Sequence, residues 1–306
     1  VNPSNAALQV LALVIVSPLI SGLIRKLKNN LRLRIGPGIF QPYYDIAKLF
    51  SKDENISVTA SWIFRAAPYV ALGSSVAALC LMPAFLPGVS FSAAGDFLAV
   101  IFLLSLGRFF LALAGLDAGS SFGGMGSSRE MFLSSFVEPA AVLAIFAVSA
   151  AAGTTDPAAL SLLGAVRPSS VMACGAFFIV LLAETSRLPV DNQETHLELT
   201  MIHEAMVLEY SGPSLALIEI AAHVKQVLFM TIAVNVLISP ALAASLWPSL
   251  ALAGPAFFCV KILLACAAVA AVEVSIAKMR LFRAVDFLLF GGLISAVAFI
   301  LAVTGH

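Results

Sequence analysis

Residues 184–210, reading ETSRLPVDNQETHLELTMIHEAMVLEY, gather six of the chain's seventeen acidic residues: Glu184, Asp191, Glu194, Glu198, Glu204 and Glu209. The same stretch holds two of the four histidines, His196 and His203, and one basic residue, Arg187. Glu194 and Glu198 are four apart and share a face on a helix. Like charges that close disfavour each other's ionisation. His196 and His203, seven apart, also share a face, and Glu204 follows His203. Three chemistries fit this block. Histidine and carboxylate at helical spacing can bind zinc, although no HExxH motif is present. Carboxylates and imidazoles at close spacing can relay protons. An acidic loop can also dock a basic partner protein.

Further ionisable residues stand inside otherwise apolar runs: Glu138, Glu219, His223, Lys225, Lys261 and Glu273. A charge at mid-membrane costs about 2.5–3.5 kcal/mol on insertion scales, so such groups pair with one another or line a hydrated cavity. Structural ion pairs between helices are the alternative to a transport path.

The elements that must position these groups are membrane helices. Hydrophobic residues make up 60% of the 306 positions and charged residues 11%, against roughly 45–50% and about 25% in soluble domains. Mean hydropathy is +1.01. The fold class expected is all-α, a single polytopic membrane domain over residues 1–306. A span takes about 20 apolar residues. Eight candidates follow in order: 6–23, 66–86, 97–116 (interrupted by Arg108), 131–152, the short 168–183, 215–238, 250–272 and 284–303. Fourteen of the seventeen basic residues fall with the odd-to-even loops. That bias places those loops in the cytoplasm and both termini on the non-cytoplasmic side. The expected location is the cell inner membrane. The charges follow the first apolar segment, so no cleavable signal pattern is expected. The formal net charge of zero gives no nucleic-acid signature.

Two cytoplasmic loops are set apart as regions: 25–65, with an interfacial helix, and the acidic loop 184–214. In the first, the IGPG run at 35–38 reads as a tight turn. After it, Tyr43, Ile46, Ala47 and Phe50 fall on one helical face, suited to lying at the lipid interface with Lys48 and Lys52 toward headgroups. The stretch GLDAGSSFGGMGSSRE at 115–130 reads as a packing loop without phosphate-loop spacing. Cys80, Cys174, Cys259 and Cys266 lie in apolar segments without CxxC pairing, which favours core packing over a cluster in this chain.

Several of these stretches together resemble the respiratory-chain NADH dehydrogenase (complex I) subunit 1 family, which includes homologues in membrane-bound hydrogenases. The matching residues are Arg34-Ile35-Gly36-Pro37, Arg65-Ala66-Ala67-Pro68, Arg187-Leu188-Pro189-Val190-Asp191 with Glu194 and Glu198, Glu209-Tyr210-Ser211-Gly212, and Ala277-Lys278-Met279-Arg280-Leu281-Phe282-Arg283. Quinone-reducing members usually carry Phe where this chain has Val190, and Asn where it has Gly38. AGLDAGSSF, SSRE, THLELTMIHEAMVLEYSGP and AKMRLFR are closer to the branch of hydrogenase-4, formate hydrogenlyase and other energy-converting group 4 NiFe hydrogenases.

The resemblance implies a membrane-anchor and ion-coupling subunit that is not catalytic by itself. Its 4Fe-4S clusters and NiFe site would reside in peripheral partner subunits on the cytoplasmic face. Antiporter-like membrane subunits and lipid would be its other neighbours. Arg34, Arg187, Asp191, Glu194, Glu198, Glu204 and Glu209 would surround a chamber beneath the partner's proximal cluster. Glu138, Glu219 and Lys225 would continue an ionisable path. A quinone enters only under the alternative reading, the quinone-binding subunit of a true complex I. A stand-alone transporter would be favoured by an inverted repeat, and none is visible.

Overall fold

The computed structural model describes residues 3–57, 59–84, 96–157, 167–191, 201–237 and 254–304. The described residues are helical with connecting turns: α1 (Pro3–Leu31), α2 (Gln41–Phe50), α3 (Trp62–Leu81), α4 (Phe97–Asp117), α5 (Ser121–Ala152), α6 (Pro168–Glu184), α7 (His203–Val207), α8 (Gly212–Leu237), α9 (Gly254–Ser275) and α10 (Leu281–Val303). Seven of them, α1, α3, α4, α5, α8, α9 and α10, are long and apolar enough to cross a membrane. The eighth apolar helix, α6, has 17 residues. At 1.5 Å per residue it spans roughly 26 Å, the lower limit for a crossing. The protein is an all-α, multi-pass membrane protein.

Starts and stops follow local chemistry. Ser61, Asp96 and Ser120 cap α3, α4 and α5, each accepting a backbone N–H with its side-chain oxygen at 3.1–3.2 Å. Helix α3 begins four residues before the expected span because Ser61 supplies that cap, and Arg65 is exposed on its first turn. Helix α1 continues through Arg25, Lys26 and Lys28, so the first basic loop starts only after Leu31.

The largest departure from expectation lies at α5. The glycine- and serine-rich run is helical from Ser121 onward, making α5 32 residues long. Its small residues let α5 approach its neighbours closely. Ser127 Oγ donates to Ala112 O of α4 at 2.9 Å. A Cβ at Gly126 would come within 2.8–3.1 Å of Ala205 Cβ, Met206 N and Ile202 O, so only glycine lets α7 seat there. Helix α2 forms where the spacing places it. Pro42 is buried and Ile46 and Leu49 half-buried, whereas Ala47 and Phe50 are exposed. The helix packs against α8 and α1.

Helices α3, α4, α5, α6 and α8 form a closed circuit in which each packs on the next, with α10 against α5 and α6 and with α1 and α9 against α8. One apolar core joins α1, the C-terminal part of α3, α4, α5, α6, α8, α9 and α10. A second gathers Phe64, Ala67, Leu111, Ala112, Met206 and Tyr210 around α7. The functional groups lie between these two cores.

Candidate functional site: a buried ionisable chain and its cavity

Three carboxylates set in apolar helices find cations on other helices. On α4, Arg108 is 7% exposed. Its Nη2 lies 2.9 Å from Glu138 Oε1 on α5, and its Nη1 lies 2.8 Å from Glu184 Oε1 at the end of α6. The other oxygen of Glu184 is 2.6 Å from Lys225 Nζ on α8. Ser105 Oγ, one turn before Arg108, donates to Glu138 Oε1 at 2.8 Å. Glu138, Arg108, Glu184 and Lys225 thus form one continuous chain across four helices.

A second set meets it from the other side. Glu273 on α9 accepts Arg187 Nη1 at 3.0 Å and Lys28 Nζ at 3.1 Å. Arg187 Nη2 donates to Gln226 Oε1 at 2.9 Å. Ser21 Oγ of α1 donates to the same oxygen at 2.7 Å and lies 2.9 Å from His223 Nδ1. His223 Nε2 is 4.0 Å from Glu219 Oε2, one turn back on α8.

The Arg187–Asp191 segment works as a hub. Backbone bonds from Val190 N and Asp191 N to Arg187 O close a tight turn. The turn sends Arg187 inward to Glu273. It also sets Asp191, 2% exposed, with Oδ1 2.7 Å from Lys278 Nζ and Oδ2 accepting from His203 N at 3.2 Å. Met279 N donates to Pro189 O at 3.0 Å. The RLPVD and AKMRLFR stretches, far apart in sequence, therefore touch directly, and the same turn anchors the start of α7. The EYSGP stretch ties α8 to the first turn of α3 and to the segment before it. Tyr210 stacks on Phe64 at 4.0 Å with rings 6° from parallel, and its hydroxyl donates to Phe64 O at 2.9 Å. Ser211 Oγ accepts from Asn55 N at 2.8 Å, and Ser214 Oγ donates to Glu54. Burial, with Asp117 and Glu54 nearby, pushes the Tyr210 phenol above its ordinary 10.0.

Between the two sets lies a cavity of about 270 Å³, bordered by α1, α3, α4, α5, α7 and α8 and by residues 184–187. Arg25, Arg108, Glu130, Glu184, Arg187, Glu204, Glu219 and Lys225 bring charge to its wall, with His203, His223 and small residues such as Ser74, Ser75 and Gly107. A smaller pocket beside it is lined by Arg108, Glu130, Glu184 and Asp191. Several buried polar atoms at the site, including Arg187 Nε and Gln226 Nε2, have no hydrogen-bond partner among the described residues. Such atoms need water. The cavity is therefore suited to hydrated protons or ions.

The structure brings Arg187, Glu204, His203, Glu219, His223 and Lys225 to the cavity, and Glu138 to it through Arg108. Asp191 lines the smaller pocket. Arg34 is exposed on the loop after α1 and Glu209 is half-buried; neither lines these two spaces. Lys261 lies away from the cavity, with Nζ 2.7 Å from Asn235 Oδ1 and 5.3 Å from the Phe257 ring centroid. Glu194, His196 and Glu198 lie outside the described residues. Arg108, Glu184, Glu130, Lys28 and Gln226 were not singled out as site residues by spacing alone. The available signal was an arginine in the middle of the third apolar run and a glutamate closing the fifth. Among the described residues, no group of three or more His, Cys, Asp or Glu is placed to hold a metal ion.

The model of the NADH dehydrogenase family matches residues 5–304. Hydrogenase-4 component C of Escherichia coli is 36% identical over 235 residues, covering 74% of this chain and 72% of that protein. Formate hydrogenlyase subunit 4 of the same organism is 32% identical over 237 residues, covering 76% of each. A subunit of the NADH-quinone oxidoreductase of Rubrobacter xylanophilus is 31% identical over 216 residues, covering 64% of this chain and 62% of that one. Among solved structures, a chain of the membrane-bound sulfane sulfur reductase, an archaeal respiratory membrane complex, aligns with a TM-score of 0.83 and 25% identity over 97% of this chain and 98% of its own.

Proposed function

The chain belongs to the NADH dehydrogenase family, and on that premise we propose that it is the membrane-anchor and ion-coupling subunit of a group 4 NiFe hydrogenase complex of the formate hydrogenlyase type. Electrons would pass through 4Fe-4S clusters and end at a NiFe site in peripheral subunits on the cytoplasmic face of the inner membrane. This chain would move charge in response, toward antiporter-like membrane neighbours.

The observation that carries this reading is the chain from Lys225 at the cavity through Glu184 and Arg108 to Glu138. Its inner members are buried, while the Glu138 side chain is 41% exposed on the far side. Charges in low-dielectric surroundings interact strongly. A change of charge at the cavity is therefore felt at Glu138 without any electron entering this chain. The likeness to hydrogenase-4 component C and formate hydrogenlyase subunit 4 supports the hydrogenase assignment.

The second reading, a quinone site as in complex I, is favoured by the likeness to the NADH-quinone oxidoreductase of Rubrobacter xylanophilus. Against it, the described lining of the cavity is rich in ionisable residues and, although Leu104, Leu111, Met206, Val207 and Ile218 contribute apolar surface, it has no Phe, Tyr or Trp side chain. Organic ligands are generally held by apolar and aromatic walls in pockets of about 300–1,000 Å³. Purification of the chain from its native membrane in mild detergent tests the assignment. Co-purifying iron–sulfur and NiFe hydrogenase subunits are expected. An NADH-oxidising module in their place would establish the second reading.

A further inference from the structure

The hydrogen bonds around His223 have only one consistent direction. Arg187 donates from Nη2 to Gln226, so the amide atom facing it is the oxygen. That oxygen cannot donate, so Ser21 must give it the single hydroxyl proton at 2.7 Å. Ser21 Oγ is then left only as an acceptor toward His223 Nδ1 at 2.9 Å. Nδ1 therefore carries hydrogen, and the neutral ring bares its lone pair at Nε2. Nε2 faces Glu219 Oε2 at 4.0 Å on the cavity wall. A bare lone pair opposite a carboxylate is repelled unless a proton is present on one of them.

We infer that Ser21 and Gln226, oriented by Arg187, lock His223 with hydrogen on Nδ1, so that Nε2 and Glu219 form a pair sharing one labile proton on the cavity wall. The separation is beyond a direct hydrogen bond. The proton sits on one group at a time: imidazolium beside carboxylate, or neutral imidazole beside carboxylic acid. The net charge of the pair is zero in both forms. A cavity water bridges the transfer. Arg25, Arg187 and Lys225 favour the carboxylate form of Glu219 and the neutral form of His223. Glu204, and Asp45 on the adjoining α2, act in the opposite sense, and His203 adds a second imidazole. The pair thus differs from Glu184, which is held by two cations. Ser21 is a positioning residue. Use of this proton in ion movement rests on the function proposed above, whereas its placement does not.

The test is solid-state NMR of the complex in lipid with nitrogen-15-labelled histidine, the His223 signals being those lost in His223→Gln. The native protein should show a protonated Nδ1 in both charge forms and no neutral ring with a bare Nδ1. Ser21→Ala should give a populated bare-Nδ1 form, and Ser21→Thr, which keeps the hydroxyl, should remove it again. A bare Nδ1 in the native protein overturns the assignment, as does a Ser21→Ala spectrum identical to the native one. If Ser21→Ala does not assemble, the native spectrum decides alone. A complex that moves no ions but shows the locked tautomer speaks against the transport function and not against the lock.

Discussion

At the scale of single residues, Arg108 joins two carboxylates from two other helices, and the buried one, Glu184, makes its burial tolerable. Breaking a buried ion pair by removing one partner costs about 3–5 kcal/mol, because the partner left behind stays charged and poorly solvated. Arg108→Met should therefore lower the thermal stability of the detergent-solubilised protein by a loss of that order. Arg108→Met combined with Glu184→Gln should recover part of it, since the buried carboxylate is gone and Lys225 still faces the cavity. A loss below about 1 kcal/mol, the range of exposed pairs, would mean that the chain is hydrated throughout.

Tyr210 gives a residue-scale prediction with a pH sign. Its phenol is raised above 10.0 in the folded protein. The neutral form is thus favoured by folding, and the stabilisation is fully present below the unfolded value and lost only as pH rises through the higher folded one. In an alkaline absorbance titration, Tyr210 should ionise after the exposed tyrosines, so the difference between native protein and Tyr210→Phe should appear late or only on unfolding. An early difference would mean that the hydroxyl is not held by Phe64 O.

At the scale of elements, the short helix α7 depends on α5. Gly126 has α7 backbone where a side chain would go, whereas Gly124, on the same helix, has open space. Gly126→Val should destabilise by about 1–3 kcal/mol, as overpacking does, and should shift His203 and Glu204 at the cavity. Gly124→Val should have a much smaller effect. Equal melting temperatures for the two variants would contradict the seating of α7. This dependence was hard to read from sequence. Glycine and serine lower helix propensity, so residues 121–130 look like a loop until the close approach of α4 and α7 is known. The spans themselves were legible, because length and hydropathy alone fix them. Within α2, the spacing gave the helix, whereas its seating through Pro42, Ile46 and Leu49 against α8 and α1 carried no spacing signal.

At the scale of the molecule, what remained hidden was pairing. Composition placed Arg108, Glu138, Glu219, Lys225 and Glu273 in apolar runs and called for partners. Only the circuit of α3, α4, α5, α6 and α8 assigns Arg108 to Glu184, and only the return of α9 beside α1 assigns Glu273 to Lys28 and Arg187. The resemblance pointed to Arg187 and Asp191 and was silent on Gln226 and Ser21, which act through hydrogen bonds that carry no spacing signal.

The measurement closest to the central claim uses the assembled complex in sealed vesicles, with ions moved per electron compared between native protein and Glu138→Gln. Gln keeps the size of the side chain and accepts from Ser105, and Arg108 keeps its ion pair with Glu184, so the complex should assemble. Hydrogen evolution with an artificial electron donor should be retained, while the ions moved per electron should fall severalfold, since the chain from the cavity would end on a neutral group. An unchanged ratio at unchanged hydrogen evolution would contradict the account.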